Sequence, residues 1–211
     1  IMERLVGSEM CIRDRNSRFL NKKMKIAVLT KAIPSYESSI RVDSSGSWID
    51  ESIVNYVVNE SDSYALEEAL QIKESLGEGS EVVVVTLGSE ANTSKVIKDG
   101  LAKGADRGIF IKNESSTTDP LTVAKIFADN LKSENFDLIL SGLQSDDMGS
   151  GQTGVLIGEL LEMSTATLAI ETQVEGDKIK VKRELESGWF QWVTLPFPAC
   201  LLYTSDAADD L

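Results

Sequence analysis

The sequence has 211 residues, 42% apolar and 26% charged, with no histidine and two cysteines. That length suits one domain, or one and a half, of roughly 100–200 residues with a sizeable core, and the four prolines and near-zero mean hydropathy argue against a disordered chain. No apolar run reaches the roughly 18–20 residues that cross a bilayer, the net charge of −13 opposes nucleic acid or an anionic membrane as partner, and the missing histidine removes Ser-His and Cys-His nucleophile systems and most zinc sites.

The two ends read differently from the rest. Met10 to Arg15 can be encoded by a DNA string whose reverse complement encodes Cys200 to Thr204 and begins Ser205. Unrelated protein segments do not share such a relation, and both resemble translated sequencing-adaptor DNA. Residues 1–23 are therefore expected to be a non-native leader and residues 200–211 a non-native tail, both outside the fold. Residues 24–199 keep 15 basic and 28 acidic residues, so the charge stays at −13. With the cysteines in or beside the suspect ends, no disulfide framework is expected in this core.

Lys25 to Thr30 is a short apolar run consistent with a buried central strand. Residues 32–62 are polar and lack periodicity, as in a functional loop or an ordered excursion. From Ser63 the apolar residues Tyr64, Leu66, Ala69, Leu70 and Ile72 share one helical face, closed by Gly77 and Gly79. Glu81 to Leu87, with four consecutive valines, reads as a strand buried on both faces. A helix capped by Ser89 and Gly104, a strand at Arg107 to Lys112, a helix opened by Asp119-Pro120 and a strand at Phe136 to Ser141 follow. This alternation predicts an α/β fold: a doubly wound, mostly parallel sheet of the adenine-nucleotide-binding, Rossmann-like type. After a helix at about 152–162 the period changes to two, and Thr165 to Val174, Glu175-Gly176-Asp177 and Lys178 to Glu184 predict a C-terminal antiparallel hairpin. Trp189 to Leu195 is placed as a third antiparallel strand.

In open parallel sheets ligands bind beyond the carboxyl ends of the strands. The loop of unusual composition there is Gly142-Leu143-Gln144-Ser145-Asp146-Asp147-Met148-Gly149-Ser150-Gly151-Gln152-Thr153-Gly154. Its glycines let backbone N–H groups approach a ligand, and the following helix presents its positive end to an anion. Ser150 and Thr153 can donate to phosphate oxygens, and Asp146 or Asp147 can accept from ribose hydroxyls. Lys and Arg are absent from the loop, which favours a monophosphate or shared site over a Walker-type triphosphate site. Asn59, Glu60, Ser61 and Asp62 form a second candidate rim, equally readable as a helix-capping cluster. Asp146-Asp147 has no further ligands beside it, so no metal site is expected. Trp189, Phe190 and Trp192 read as core or interface rather than a cofactor stack.

Across residues 24–199 the chain resembles the beta subunits of electron transfer flavoproteins. The likeness rests on Met24-Lys25-Ile26 with Lys31, Asn59 before Ala65-Leu66-Glu67-Glu68-Ala69, Val82 to Val85, and Leu101 to Arg107. It is most specific at Gly142-x-Gln144-x-x-Asp147 with Gln152-Thr153-Gly154, extended by Ala166-Thr167 and Glu175 to Lys178. The resemblance implies an electron carrier rather than an enzyme with its own catalytic residues. It would pair with an alpha subunit that holds FAD, passing electrons from flavin dehydrogenases to a quinone reductase or another acceptor. It further implies AMP, or a second FAD, bound in this chain by Leu29, Asn59 to Asp62, Leu87 and Gly142 to Thr153. Trp189, Phe190 and Trp192 are then candidates for the face toward alpha. A cytoplasmic location is expected for a bacterial or archaeal protein, and the mitochondrial matrix for a eukaryotic one. The chain departs from the family pattern at Leu143, where a basic residue is usual, and at Glu60-Ser61, where Pro-Phe is usual. It also ends before the family's C-terminal recognition loop and arm, as a fragment would.

Two other readings compete. A stand-alone ATP- or AMP-binding stress-type module shares the late glycine-rich loop. An ATP-pyrophosphatase-loop enzyme would use Ser141-Gly142-Leu143-Gln144-Ser145-Asp146, but Leu143 stands where that loop needs glycine.

Overall fold

Val82 to Val85 are wholly buried, as β-branched residues are when helices cover both faces of a parallel sheet. The computed structural model describes residues 23–113 and 119–204, so the expected leader up to residue 22 and the tail from residue 205 lie outside the described residues. Strand β1 (Lys25–Thr30) is followed by the short β2 (Ala32–Pro34) and β3 (Tyr56–Val58), then helix α1 (Glu60–Leu76). Next come β4 (Glu81–Gly88), α2 (Glu90–Lys103), β5 (Arg107–Lys112), α3 (Pro120–Leu131), β6 (Leu138–Gly142) and α4 (Thr153–Leu160). The chain continues through β7 (Ser164–Glu175), β8 (Lys178–Glu184), β9 (Phe190–Pro196) and β10 (Ala199–Tyr203).

Among the described residues the main sheet has eight strands in the order β5-β4-β1-β6-β10-β7-β8-β9. The pairs from β5 to β7 are parallel, and β7-β8-β9 is antiparallel. This is the expected doubly wound sheet with its C-terminal hairpin and third strand. On one face Ala65, Leu66, Ala69 and Ile72 of α1 pack against Ile26, Val28, Val84 and Leu140. On the other, Ala124, Phe127 and Leu131 of α3 and Ile157 of α4 pack against Leu29, Val85 and Ile139. Asp119 caps α3 by accepting from Thr122 N, as its position before Pro120 predicts.

Three segments take a more definite form than the sequence predicts. First, the segment 32–62 is an ordered excursion, because β2 and β3 pair antiparallel within it. Second, α1 begins at Glu60 with Asn59 at the cap, so Glu60, Ser61 and Asp62 are its first turn. Third, the fold does not stop at Ala199. Cys200, Leu201, Leu202 and Tyr203 continue β10, buried between β6 and β7 and parallel to both. The coding pattern removed these residues from the sequence reading, yet Cys-Leu-Leu-Tyr has the apolar character that two-sided burial demands.

Candidate functional site

The carboxyl ends of β1, β4 and β6 open into a cleft of about 250 Å³. Apolar walls come from Leu29 at the end of β1, Leu87 at the end of β4, and Val123 and Phe127 of α3. The opposite side is polar: Gln144, Ser145, Ser150, Gly151, Gln152 and Thr153 of the glycine-rich loop. Gly149 and Gly151 both adopt φ of +62°, a left-handed conformation that glycine takes without steric cost. Helix α4 starts at the cleft with no side-chain cap on its first turn, leaving N–H groups available to a ligand.

Three segments are stitched together at the rim. Asn59 Nδ2 donates to the Gln144 carbonyl and to Ser61 Oγ, both at 2.9 Å, while its Oδ1 accepts from Asp146 N at 3.0 Å. Ser61 Oγ donates to the same Gln144 carbonyl at 2.8 Å. The Asp62 carboxylate accepts from Lys31 N at 2.8 Å and from Gly142 N at 3.0 Å. Lys31 Nζ reaches Asp147 Oδ1 at 2.6 Å and Ser145 Oγ at 3.1 Å. The first turn of α1 thus holds the glycine-rich loop in place by hydrogen bonds rather than forming a separate rim. Gly142 fits because it has no Cβ, which would collide with Ser61 and Asp62. Burial pushes the Asp62 carboxyl up to about 7, against the main-chain bonds from Lys31 and Gly142 and the Lys31 charge, which favour the ionised form.

Ser141 stands out on the cleft lining. Its side-chain oxygen is buried with no hydrogen-bond partner among the described residues and packs against Gly154 at the start of α4, an arrangement that costs free energy.

Of the residues singled out from sequence, Leu29, Asn59, Asp62, Leu87, Gly142, Leu143, Gln144, Ser145, Met148 and Ser150 to Thr153 line the cleft. Glu60, Ser61, Asp146, Asp147 and Gly149 do not. Asp147 is engaged by Lys31, and Asp146 accepts from the Tyr36 hydroxyl at 3.1 Å. Gly154, a glycine of the predicted loop, lines the cleft as well, and so do Thr30, Lys31, Gly88, Asn113, Pro120, Val123, Phe127 and Ser141, which carry no expected binding role. Ser141 closes a predicted strand, and Lys31 follows one; those strand ends were the available signal. The apolar α3 residues carry no such mark, since their face is indistinguishable from an ordinary core face.

The electron transfer flavoprotein domain model matches residues 47–209. The electron transfer flavoprotein subunit beta of Bradyrhizobium diazoefficiens is 43% identical over 176 residues, covering 83% of this chain and 69% of that protein. The subunit of the same name from Methylophilus methylotrophus is 34% identical over 181 residues, covering 84% and 68%. The human one is 33% identical over 180 residues, covering 84% and 69%. The chain belongs to the electron transfer flavoprotein family. Its relatives within that family are beta subunits, and the family name carries a flavin association and an electron-carrier role. Among the described residues of this electron transfer flavoprotein chain, no helix is long and apolar enough to cross a membrane.

Proposed function

We propose that this chain is the nucleotide-holding beta subunit of an electron transfer flavoprotein, with AMP, or the AMP portion of a second FAD, in the cleft beyond β1, β4 and β6. Leu29, Leu87, Val123 and Phe127 would take the adenine base against their apolar surfaces. The loop amides, Ser150, Thr153 and the start of α4 would take the phosphate, with Lys31 as the cation at the rim. The residues fit such a group: apolar walls accompany a polar, glycine-rich loop and the uncapped start of α4. A bound FAD supplies the electron-carrying chemistry, and this chain's residues position nucleotide and partner around it. Flavin dehydrogenases are the donors in this reading and a quinone reductase or other acceptor the recipient, in the cytoplasm or mitochondrial matrix.

The observation that carries the nucleotide assignment is the lining of the cleft, where apolar Leu29, Leu87, Val123 and Phe127 accompany a glycine-rich loop and the uncapped start of α4. Thr153→Ala removes a hydroxyl that lines the cleft at the first residue of α4, so apo stability is expected to change by less than about 1 kcal/mol. AMP affinity is expected to fall about tenfold, the effect of one lost hydrogen bond of about 1.4 kcal/mol. Calorimetric titration of the full chain with AMP measures the second effect and urea unfolding the first. Unchanged AMP affinity, or no AMP binding by the parent chain, would overturn the assignment.

The alpha subunit is proposed to cover the outer edge of β9. Trp189, just before β9, is 72% exposed, and Phe190 and Trp192, on this terminal strand of the sheet, are 47% and 40% exposed. Lys180 Nζ lies 4.6 Å above the Trp192 ring and Lys182 Nζ 4.6 Å above Phe190, which gives this patch a basic rim on an acidic chain. Exposed aromatics on an unpaired edge are otherwise an aggregation hazard. Replacing Trp189 and Trp192 together by serine is expected to weaken heterodimer formation about a hundredfold, the scale of a two-residue hot spot. The isolated chain's unfolding should shift by no more than about 1 kcal/mol. Size-exclusion chromatography with alpha distinguishes this from an unaltered complex, which would move the interface elsewhere.

A further inference from the structure

Asp62 is the third residue of α1 and only 6% exposed. A carboxylate at that helix position commonly turns back to the amide of the cap residue. Here the Asn59 amide donates instead to the Lys31 carbonyl at 3.0 Å. The Asp62 oxygens are spent on two other segments, one accepting from Lys31 N at 2.8 Å and the other from Gly142 N at 3.0 Å. Lys31 directly follows β1 and Gly142 closes β6, neighbouring strands whose diverging ends form the cleft. We propose that Asp62 is a positioning residue whose carboxylate, by accepting both main-chain N–H groups at once, fixes the chain leaving β1 and the glycine-rich loop leaving β6 at the spacing that shapes the nucleotide cleft.

The chemistry requires a carboxylate. Each oxygen meets a donor, and charge-assisted bonds of this kind offset the burial of the charge. Asparagine has the same shape but turns an NH2 donor toward one of the two amides, so it can hold one loop and must repel the other. Protonation of Asp62 likewise places an O–H on one oxygen. The charged group acting on the carboxyl is Lys31, which follows β1, and the Asn59 side chain also favours its ionised form. The Lys31 ammonium is drawn to Asp147 and Ser145 rather than to Asp62. With burial raising the carboxyl to about 7, the two-amide grip is complete above that pH and loosens as pH falls through it.

The inference rests on the proposed nucleotide reading only for its effect on affinity, and its test has one arm that needs no ligand. In the full-length chain, the amide proton shifts of Lys31 and Gly142 are followed by NMR from pH 5 to 9. Both are expected to titrate together with one midpoint, and the protection of both amides from exchange, relative to the intrinsic rate at each pH, is expected to be greater above it. In Asp62→Asn the shared titration is expected to vanish, with exchange at one or both amides at least tenfold faster. Absent or separate titrations in the parent chain overturn the proposal, whether or not the variant folds. In the second arm AMP is titrated into both proteins at pH 8 and pH 5.5. The variant is expected to bind at least tenfold more weakly at pH 8 and within about threefold of the parent at pH 5.5; the phosphate's own titration near pH 6 is common to both and cancels. Equal affinities at pH 8 overturn the claim that the spacing shapes the cleft. Coupled amide titrations without AMP binding by the parent would instead overturn the nucleotide reading and leave the positioning role intact.

Discussion

Gly142→Ala is expected to abolish measurable AMP binding and to lower the stability of the chain by about 1–3 kcal/mol, the usual cost of forcing a methyl group into a filled space. The backbone at this glycine sits against the first turn of α1. A Cβ there would run into Ser61 Oγ and the Asp62 carboxylate and would lie 2.8 Å from Asp62 N. None of these atoms belongs to the tip of a flexible side chain with room to move. Ser61 is held to the Gln144 carbonyl at 2.8 Å and Asp62 to two amides. The loop would therefore lift from α1, breaking the bonds that set its path along the cleft. Calorimetry with AMP reads the functional loss and urea unfolding the structural one. A variant with parental stability and parental affinity would show that the loop is not clamped this way.

Leu201→Ala is expected to cost about 2–5 kcal/mol, a large part of the roughly 5–15 kcal/mol that holds a domain of this kind together. Leu201 is fully buried, and β10 pairs with β6 on one side and β7 on the other. The same strand supplies Leu202, against which Gly154 of α4 packs so tightly that a Cβ would lie 2.9 Å from Leu202 Cδ1. The Tyr203 carbonyl accepts from Leu143 N at 2.9 Å, tying β10 to the glycine-rich loop itself. Deleting the chain from Cys200 onward should therefore leave no cooperative unfolding transition, because β6 and β7 lose their shared partner. Urea unfolding followed by circular dichroism tests both variants. A truncated chain that still unfolds cooperatively would show that the sheet closes without β10.

The parallel sheet was legible in the sequence because its strands are apolar runs and its helices carry clear caps. The four valines of β4 and Asp119-Pro120 before α3 leave few alternatives. The glycine-rich loop was legible for a similar reason: its composition serves backbone approach more than packing. What escaped was tertiary. Nothing local to Lys31 marks it as the partner of Asp147, which lies far along the chain. Asp146 and Asp147 looked available for a ribose because their partners, Tyr36 and Lys31, come from the stretch around β2 that had no periodicity to place it. Asn59 to Asp62 read both as a second rim and as a capping cluster, and the structure divides them: Asn59 and Asp62 line the cleft, while Ser61 holds the loop and Glu60 stays outside. At β10 two signals in the sequence oppose each other: the coding pattern points to a non-native tail, while Cys200 to Tyr203 has the apolar character of the buried strand it forms.

The central claim is that an adenine nucleotide occupies the cleft of this chain. It is tested most directly by denaturing the purified complex of this chain with its alpha subunit and identifying the released nucleotides by mass spectrometry. One FAD and one AMP per heterodimer, or two FADs, is the expected result, with the second nucleotide missing from the Gly142→Ala complex. A heterodimer that releases a single FAD and no further adenine nucleotide would contradict it.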